Sequence, residues 1–108
     1  MKDMSDNALT PYAVGRIRDI HSLSKTYNHK VQYDHSRRLL DLMGSHVAEI
    51  QSLWKGNDRH FLVETGDLII LCLELLVEYD MSMEDILQTC FERYERKLTQ
   101  LLAEASGF

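Results

Sequence analysis

The sequence has little of what β-rich and membrane-spanning folds require. Proline occurs once and glycine five times in 108 residues, which is too little turn-forming punctuation for a β-sandwich or a β-barrel. The longest apolar run, residues 68–73, is far shorter than the roughly 20 residues that cross a bilayer. We therefore expect neither an all-β fold nor a membrane partner.

Basic residues and cysteines are also scarce. Lys and Arg number 12 against 17 Asp and Glu, whereas proteins that bind duplex nucleic acid usually gather basic side chains on one face. We expect no duplex nucleic-acid partner. Cys72 and Cys90 lie within apolar helical patterns, as small buried residues of a reducing compartment do. The N-terminus lacks a signal-peptide pattern, so a cytoplasmic protein is predicted.

What is present is helical periodicity. Thr10 followed by Pro11 is typical of a helix start, and the first helix is expected to end near Ser24. Residues 25–32 are polar and are predicted to be a connection. Further helices are predicted over residues 34–55, 58–78 and 82–105. The chain length fits one domain, so we predict a single all-α domain over residues 1–108, a four-helix bundle with residues 1–9 frayed.

Two carboxylates stand at the entrance to the most apolar helix. Glu64 and Asp67 are three residues apart, so they share one helical face. Carboxylates placed there repel each other unless a cation or a basic residue compensates, and a carboxylate pair suits Mg²⁺ or Mn²⁺. A simpler interpretation is that both acids complement the helix dipole or pair with arginines of a neighbouring helix.

The surroundings of this pair resemble a known family. Residues 64–67 read ETGD, a short loop follows at 79–85, and the next helix carries Arg93, Arg96 and Lys97. Together with the preceding helix, residues 36–98 are similar to the MazG-like nucleotide pyrophosphohydrolases. The resemblance implies an all-α bundle of the NTP pyrophosphatase type that forms a homodimer or a homotetramer. It also implies Mg²⁺-dependent cleavage of a nucleoside triphosphate to the monophosphate and pyrophosphate.

The family's metal motif is only partly present. The family holds its metal with E-E-x-x-E on the second helix and E-x-x-D on the third. Glu49, Glu64 and Asp67 match this pattern, whereas Ser45 and His46 stand where the first two glutamates belong. His46 and Glu49 are three residues apart, so both can face the third helix. The metal ligands are therefore predicted to be His46, Glu49, Glu64 and Asp67.

The resemblance also assigns roles around the metal. Mg²⁺ is the expected cofactor, and an imidazole in place of a carboxylate shifts the preference towards Mn²⁺. Glu49 or Glu64 would be the catalytic base, and a nucleotide would be the substrate. Its phosphates are predicted to contact basic side chains of the fourth helix, namely Arg93, Arg96 and Lys97. These basic residues equally fit a solvated helix face, and His46 equally fits a surface or hydrogen-bonded core histidine.

Two functions follow from this partial match. The first is a divalent-metal-dependent nucleotide pyrophosphohydrolase. The alternative is a MazG-like module that has lost catalysis and serves oligomerisation or nucleotide sensing. A ferritin-like di-iron bundle is excluded because it needs paired E-x-x-H motifs, and the chain has only the reversed H-x-x-E of His46 and Glu49.

Overall fold

The computed structural model describes residues 9–107, and over these residues it contains four α-helices and no β-strand. The helices are α1 (Pro11–Lys30), α2 (His35–Lys55), α3 (Phe61–Glu78) and α4 (Met83–Ser106). The predicted all-α, four-helix class is confirmed. The fraying predicted for residues 1–8 lies outside the described residues. It does not extend to Leu9, whose backbone N–H donates to Glu84 Oε2 at 3.0 Å.

Three helices begin where local capping predicts. The Thr10 hydroxyl accepts from the backbone N–H of Ala13 at 3.1 Å. The Asp34 carboxylate accepts from Arg37 at 2.9 Å, and the Ser82 hydroxyl accepts from Asp85 at 3.3 Å. Each cap satisfies an N–H group that would otherwise have no partner within its helix.

Helix α1 is longer than predicted. It continues through Lys30, so the prediction of a connection over residues 25–32 is wrong for most of that segment. The additional turns of α1 are held by polar contacts with other helices and not by an apolar stripe. Lys25 Nζ lies 3.0 Å from Glu78 Oε1. The buried Asn28 contacts the buried His35 through Nδ2 and Nδ1 at 2.8 Å.

The core lies around α3, which packs against each of the other three helices. Its centre is a buried cluster of Ile17, Leu73 and Met83, and Leu39 of α2 is 1% exposed. This apolar contact fixes α3 between α1 and α2, which determines what the polar residues of α3 face.

The outer part of α4 leaves the bundle. Residues 91–107 are all exposed. They include Tyr94, Leu98 and Leu101, whose spacing of three or four residues predicts one buried helical face. The radius of gyration is 17.1 Å, against about 13 Å for a compact domain of this length. Within one chain, the apolar stripe of α4 therefore packs only in its first turns.

The sequence also makes predictions about the burial of the two cysteines and the lengths of the helices. Cys72 and Cys90 are free and helical, but Cys72 is exposed and Cys90 is half-buried, so the expectation of two buried thiols is wrong. Among residues 9–107, none of the helices has the length and apolar character needed to cross a membrane.

Candidate metal centre

The packing of α2 on α3 brings His46, Glu64 and Asp67 together. His46 Nε2 lies 3.4 Å from Glu64 Oε1 and 3.8 Å from Asp67 Oδ2. One ligand atom from each of the three residues lies within 4.8 Å of the others. The helical spacing of Glu64 and Asp67 puts both carboxylates on the face of α3 that meets α2.

The ring of His46 is oriented by its own helix. Its Nδ1 lies 2.9 Å from the backbone carbonyl oxygen of Leu42, and because a carbonyl can only accept, Nδ1 carries the proton. A neutral ring then presents the Nε2 lone pair to two carboxylate oxygens, none of which can donate. A cation between these three atoms, either a metal ion or a proton on Nε2, removes the repulsion.

Glu64 has a second histidine neighbour. His60 Nε2 lies 3.4 Å from Glu64 Oε2, one helical turn earlier, while Oε1 of the same carboxylate faces His46. His60 was not among the predicted site residues, although its spacing of four residues from Glu64 was visible in the sequence. Its side chain is exposed, so it belongs to the rim of the site.

A shallow groove beside the cluster has an acidic wall. His46 and Asp67 line it together with Ile70, Leu71 and Glu74. Glu74 is 3% exposed, and its carboxylate accepts a short hydrogen bond from the Ser24 hydroxyl. Sequence reasoning missed Glu74, although it lies seven residues after Asp67 and so on the same face, two turns along an apolar helix.

Comparison with known proteins supplies the family. No family model and no solved structure matches the chain. Over 72 residues the chain is 33% identical to a phosphoribosyl-ATP pyrophosphatase of Bacillus cereus (strain Q1). The matched segment covers 66% of this chain and 67% of that relative. The chain belongs to the MazG-like all-α pyrophosphatase superfamily. The resemblance of residues 36–98 to MazG-like proteins is thereby supported at the superfamily level.

Glu49 is not part of the cluster in this MazG-like chain. It is exposed on α2, one turn after His46, and it belongs to neither group of converging metal-ligand atoms among residues 9–107. Ser45, which replaces the first glutamate of the MazG-like motif, is also exposed. The structure thus assembles three of the four predicted ligands, and the role of Glu49 stays a prediction.

The predicted phosphate-binding residues lie elsewhere in the MazG-like fold. Arg93, Arg96 and Lys97 line a separate groove on α4 together with Tyr94 and Gln100. In the described part of the chain, no residue of α4 lines the groove at His46 and Asp67. Within a single chain, the basic residues and the acidic cluster are therefore not brought together.

Proposed function

We propose that this protein is a divalent-metal-dependent nucleotide pyrophosphohydrolase that converts a nucleoside triphosphate to the monophosphate and pyrophosphate. The observation that carries the proposal is the orientation of His46, whose Nε2 faces Glu64 Oε1 at 3.4 Å and Asp67 Oδ2 at 3.8 Å. Membership of a superfamily that includes a phosphoribosyl-ATP pyrophosphatase supports the same reaction class.

The donor set fits a divalent cation. Glu64 and Asp67 supply two negative charges and His46 a neutral nitrogen. Oxygen ligands suit Mg²⁺, and one imidazole shifts the preference towards Mn²⁺. A cation held here supplies neutralisation of phosphate charge and a water of lowered pKa. We propose Mg²⁺ or Mn²⁺ as the cofactor, with Mn²⁺ favoured.

The remaining carboxylate is suited to proton transfer. Among residues 9–107, Glu49 belongs to neither cluster of ligand atoms, and it is exposed on α2 one turn beyond His46. We propose that Glu49 accepts a proton from the water that attacks the phosphorus in line with the α–β phosphoanhydride bond. Glu64 is the second candidate base, although its two oxygens already face His46 and His60.

The basic groove of α4 is the reason to propose a second subunit. Arg93, Arg96 and Lys97 hold donors that suit a polyphosphate, but they lie outside the groove at His46. The same outer part of α4 exposes Tyr94 and Leu98, an apolar surface that association would cover. We propose a homodimer or homotetramer in which α4 of one subunit brings its basic groove to the acidic cluster of another.

Pyrophosphate release is the direct test. A panel of nucleoside triphosphates is incubated with the protein in the presence of Mg²⁺ or of Mn²⁺. Phosphoribosyl-ATP is included because the relative is a phosphoribosyl-ATP pyrophosphatase. We expect release that falls by about 100-fold or more in Asp67→Asn, because one metal ligand loses its charge. Asp19→Asn, an exposed acid of α1, is the matched control. Equal rates in the two variants would contradict the assignment of the site.

One observation favours a second function. Ser45 stands exposed where the family carries a glutamate, so the cluster has fewer acids than an intact MazG-like motif. A nucleotide-sensing module that has lost catalysis would bind a nucleotide with a metal and release no pyrophosphate. Calorimetric titration with a non-hydrolysable triphosphate analogue, run beside the release assay, separates the two functions.

A further inference from the structure

A second cluster of ligand atoms lies at the other end of α3. His21 of α1, His35 at the start of α2 and Glu78 at the end of α3 bring one ligand atom each within 4.8 Å of the others. Glu78 Oε1 lies 2.9 Å from His21 Nε2 and 3.9 Å from His35 Nε2. We propose that these three residues form a binding site for Zn²⁺ or a similar late transition metal, separate from the site at His46.

The strongest support is the unmet nitrogen of His35. The residue is 8% exposed, and among the described residues its Nε2 has no hydrogen-bond partner. Nδ1 of His35 lies 2.8 Å from Asn28 Nδ2, an N–H donor, so Nδ1 must accept. A neutral ring then carries its proton on Nε2, and this N–H finds no acceptor within hydrogen-bond range. After a half-turn of the Asn28 amide, Oδ1 accepts from Nδ1–H and Nε2 becomes a buried lone pair. A metal ion at Nε2 satisfies this second arrangement.

Burial favours the neutral ring that a metal needs. Desolvation lowers the pKa of His35, although Glu78 opposes the shift. A neutral imidazole whose other nitrogen donates to an amide oxygen is the usual form of a metal-bound histidine. Asn28, which is also buried, would fix the orientation of the ring.

The distances match a tetrahedral ion. Zinc bonds of about 2.0–2.2 Å to nitrogen and oxygen place neighbouring ligand atoms of a tetrahedral ion about 3.3–3.6 Å apart. The observed separations from Glu78 Oε1, 2.9 Å to His21 and 3.9 Å to His35, lie on either side of this value. The rings of His21 and His35 meet edge to face with centroids 5.2 Å apart. Two histidines and a glutamate leave a fourth position for water.

Lys25 is the competitor for this site. Its Nζ lies 3.0 Å from Glu78 Oε1, and its side chain is 54% exposed. Burial raises the pKa of Glu78, but hydrogen bonds from His21 and Lys25 outweigh it and hold that pKa below its ordinary value. The carboxylate is thus ionised and ready to ligate. The metal would displace the Lys25 ammonium group to solvent and take the place of the proton on His21 Nε2, which would move to Nδ1 of the same ring. A Lys25→Met variant should therefore bind the metal more tightly.

The two clusters are far enough apart to be distinguished. Asp67 and Glu78 are eleven residues apart on α3, which is about 16 Å along a helix. The second cluster joins three helices, so an ion there would clamp α1, α2 and α3 together, as structural metals do in other small domains.

Cobalt absorption is the first test, made on the untagged full chain. Co²⁺ is titrated into a Glu64→Gln, Asp67→Asn double variant, which silences the first cluster. We expect intense visible bands of four-coordinate Co²⁺ that Zn²⁺ abolishes, and a thermal midpoint about 10 °C higher at 100-fold excess of Zn²⁺ over its Kd. Absence of both effects would overturn the proposal.

Single substitutions then locate the ion. In the same background, His21→Gln and Glu78→Gln should remove the bands, whereas His29→Gln, an exposed histidine of the same helix, should keep them. Lys25→Met should raise the affinity by about tenfold, the lower end of the effect of outer groups on metal sites. Bands that survive in both His21→Gln and Glu78→Gln would refute the site.

The wild-type protein provides a test that does not depend on the folding of variants. Long-range ¹H–¹⁵N spectra of the histidine rings are recorded with and without Zn²⁺. The rings of His21 and His35, and not those of His46 and His60, should change to Nε2-ligated, Nδ1-protonated signals at one equivalent of metal in the presence of excess Mg²⁺. If only a single histidine responds, the ion lies elsewhere and the proposal fails.

Discussion

The two histidine–carboxylate clusters along α3 differ most in the exposure of a carboxylate ligand. At the first, the carboxylate of Asp67 is 51% exposed and a groove adjoins the ligands. At the second, the side chains of His35 and Glu78 are 7% and 17% exposed. An open site can admit a phosphate group beside a metal, whereas a more buried one leaves the fourth position of its ion to a water. Similar side chains are therefore suited to different purposes by their depth in the bundle.

The largest expected effect concerns the activity that we assign to the first cluster. His46→Ala removes the only nitrogen of the first cluster, and pyrophosphate release with Mn²⁺ should fall by about 100-fold or more. His60→Ala, at the exposed rim, is the control and should retain most of the rate. Steady-state rates and circular dichroism of both variants provide the check. A fall of similar size in both variants would contradict a specific role of His46 as a ligand, because both histidines contact Glu64.

The next effect concerns the acid between the two clusters. Ser24→Ala leaves the buried carboxylate of Glu74 without its hydroxyl donor, which should lower the free energy of unfolding by about 2 kcal/mol. Ser22→Ala, an exposed serine on the same helix, should change it by less than about 0.5 kcal/mol. Urea unfolding measures both. Equal unfolding midpoints would contradict a stabilising role of the Ser24 hydroxyl at Glu74.

A smaller effect sharpens the metal assignment of the first cluster. His46→Glu restores the residue type that the family carries, and a third carboxylate should favour Mg²⁺. We expect the ratio of the Mg²⁺-supported rate to the Mn²⁺-supported rate to rise by about tenfold. An unchanged ratio would show that His46 does not touch the cation.

The part of the fold that local chemistry dictates could be predicted from the sequence. Thr10, Asp34 and Ser82 cap helices through bonds to residues three positions away. The last turns of α1 could not be predicted, because Lys25 and Asn28 are held by residues of other helices. Apolar periodicity on α4 indicated a face to be covered, but not that the cover is missing within one chain.

The candidate site was predictable to a similar extent. The spacing of Glu64 and Asp67, read beside the family resemblance, placed His46 opposite them. Glu74 was missed because a single acid in an apolar run has no motif around it. His21, His35 and Glu78 were missed because they come from three helices, and only the packed bundle brings them together.

Because the outer part of α4 projects from the bundle, the stability of this helical segment should depend on protein concentration. Residues 91–106 are helical although every one of them is exposed, and a helical segment of this length is only marginally stable by itself in water. If another subunit covers it, dilution removes that cover. Amide protons of residues 91–106 should then exchange faster as the protein is diluted, while those of α3 keep their rates. Hydrogen exchange measured across a dilution series would therefore report assembly without any label.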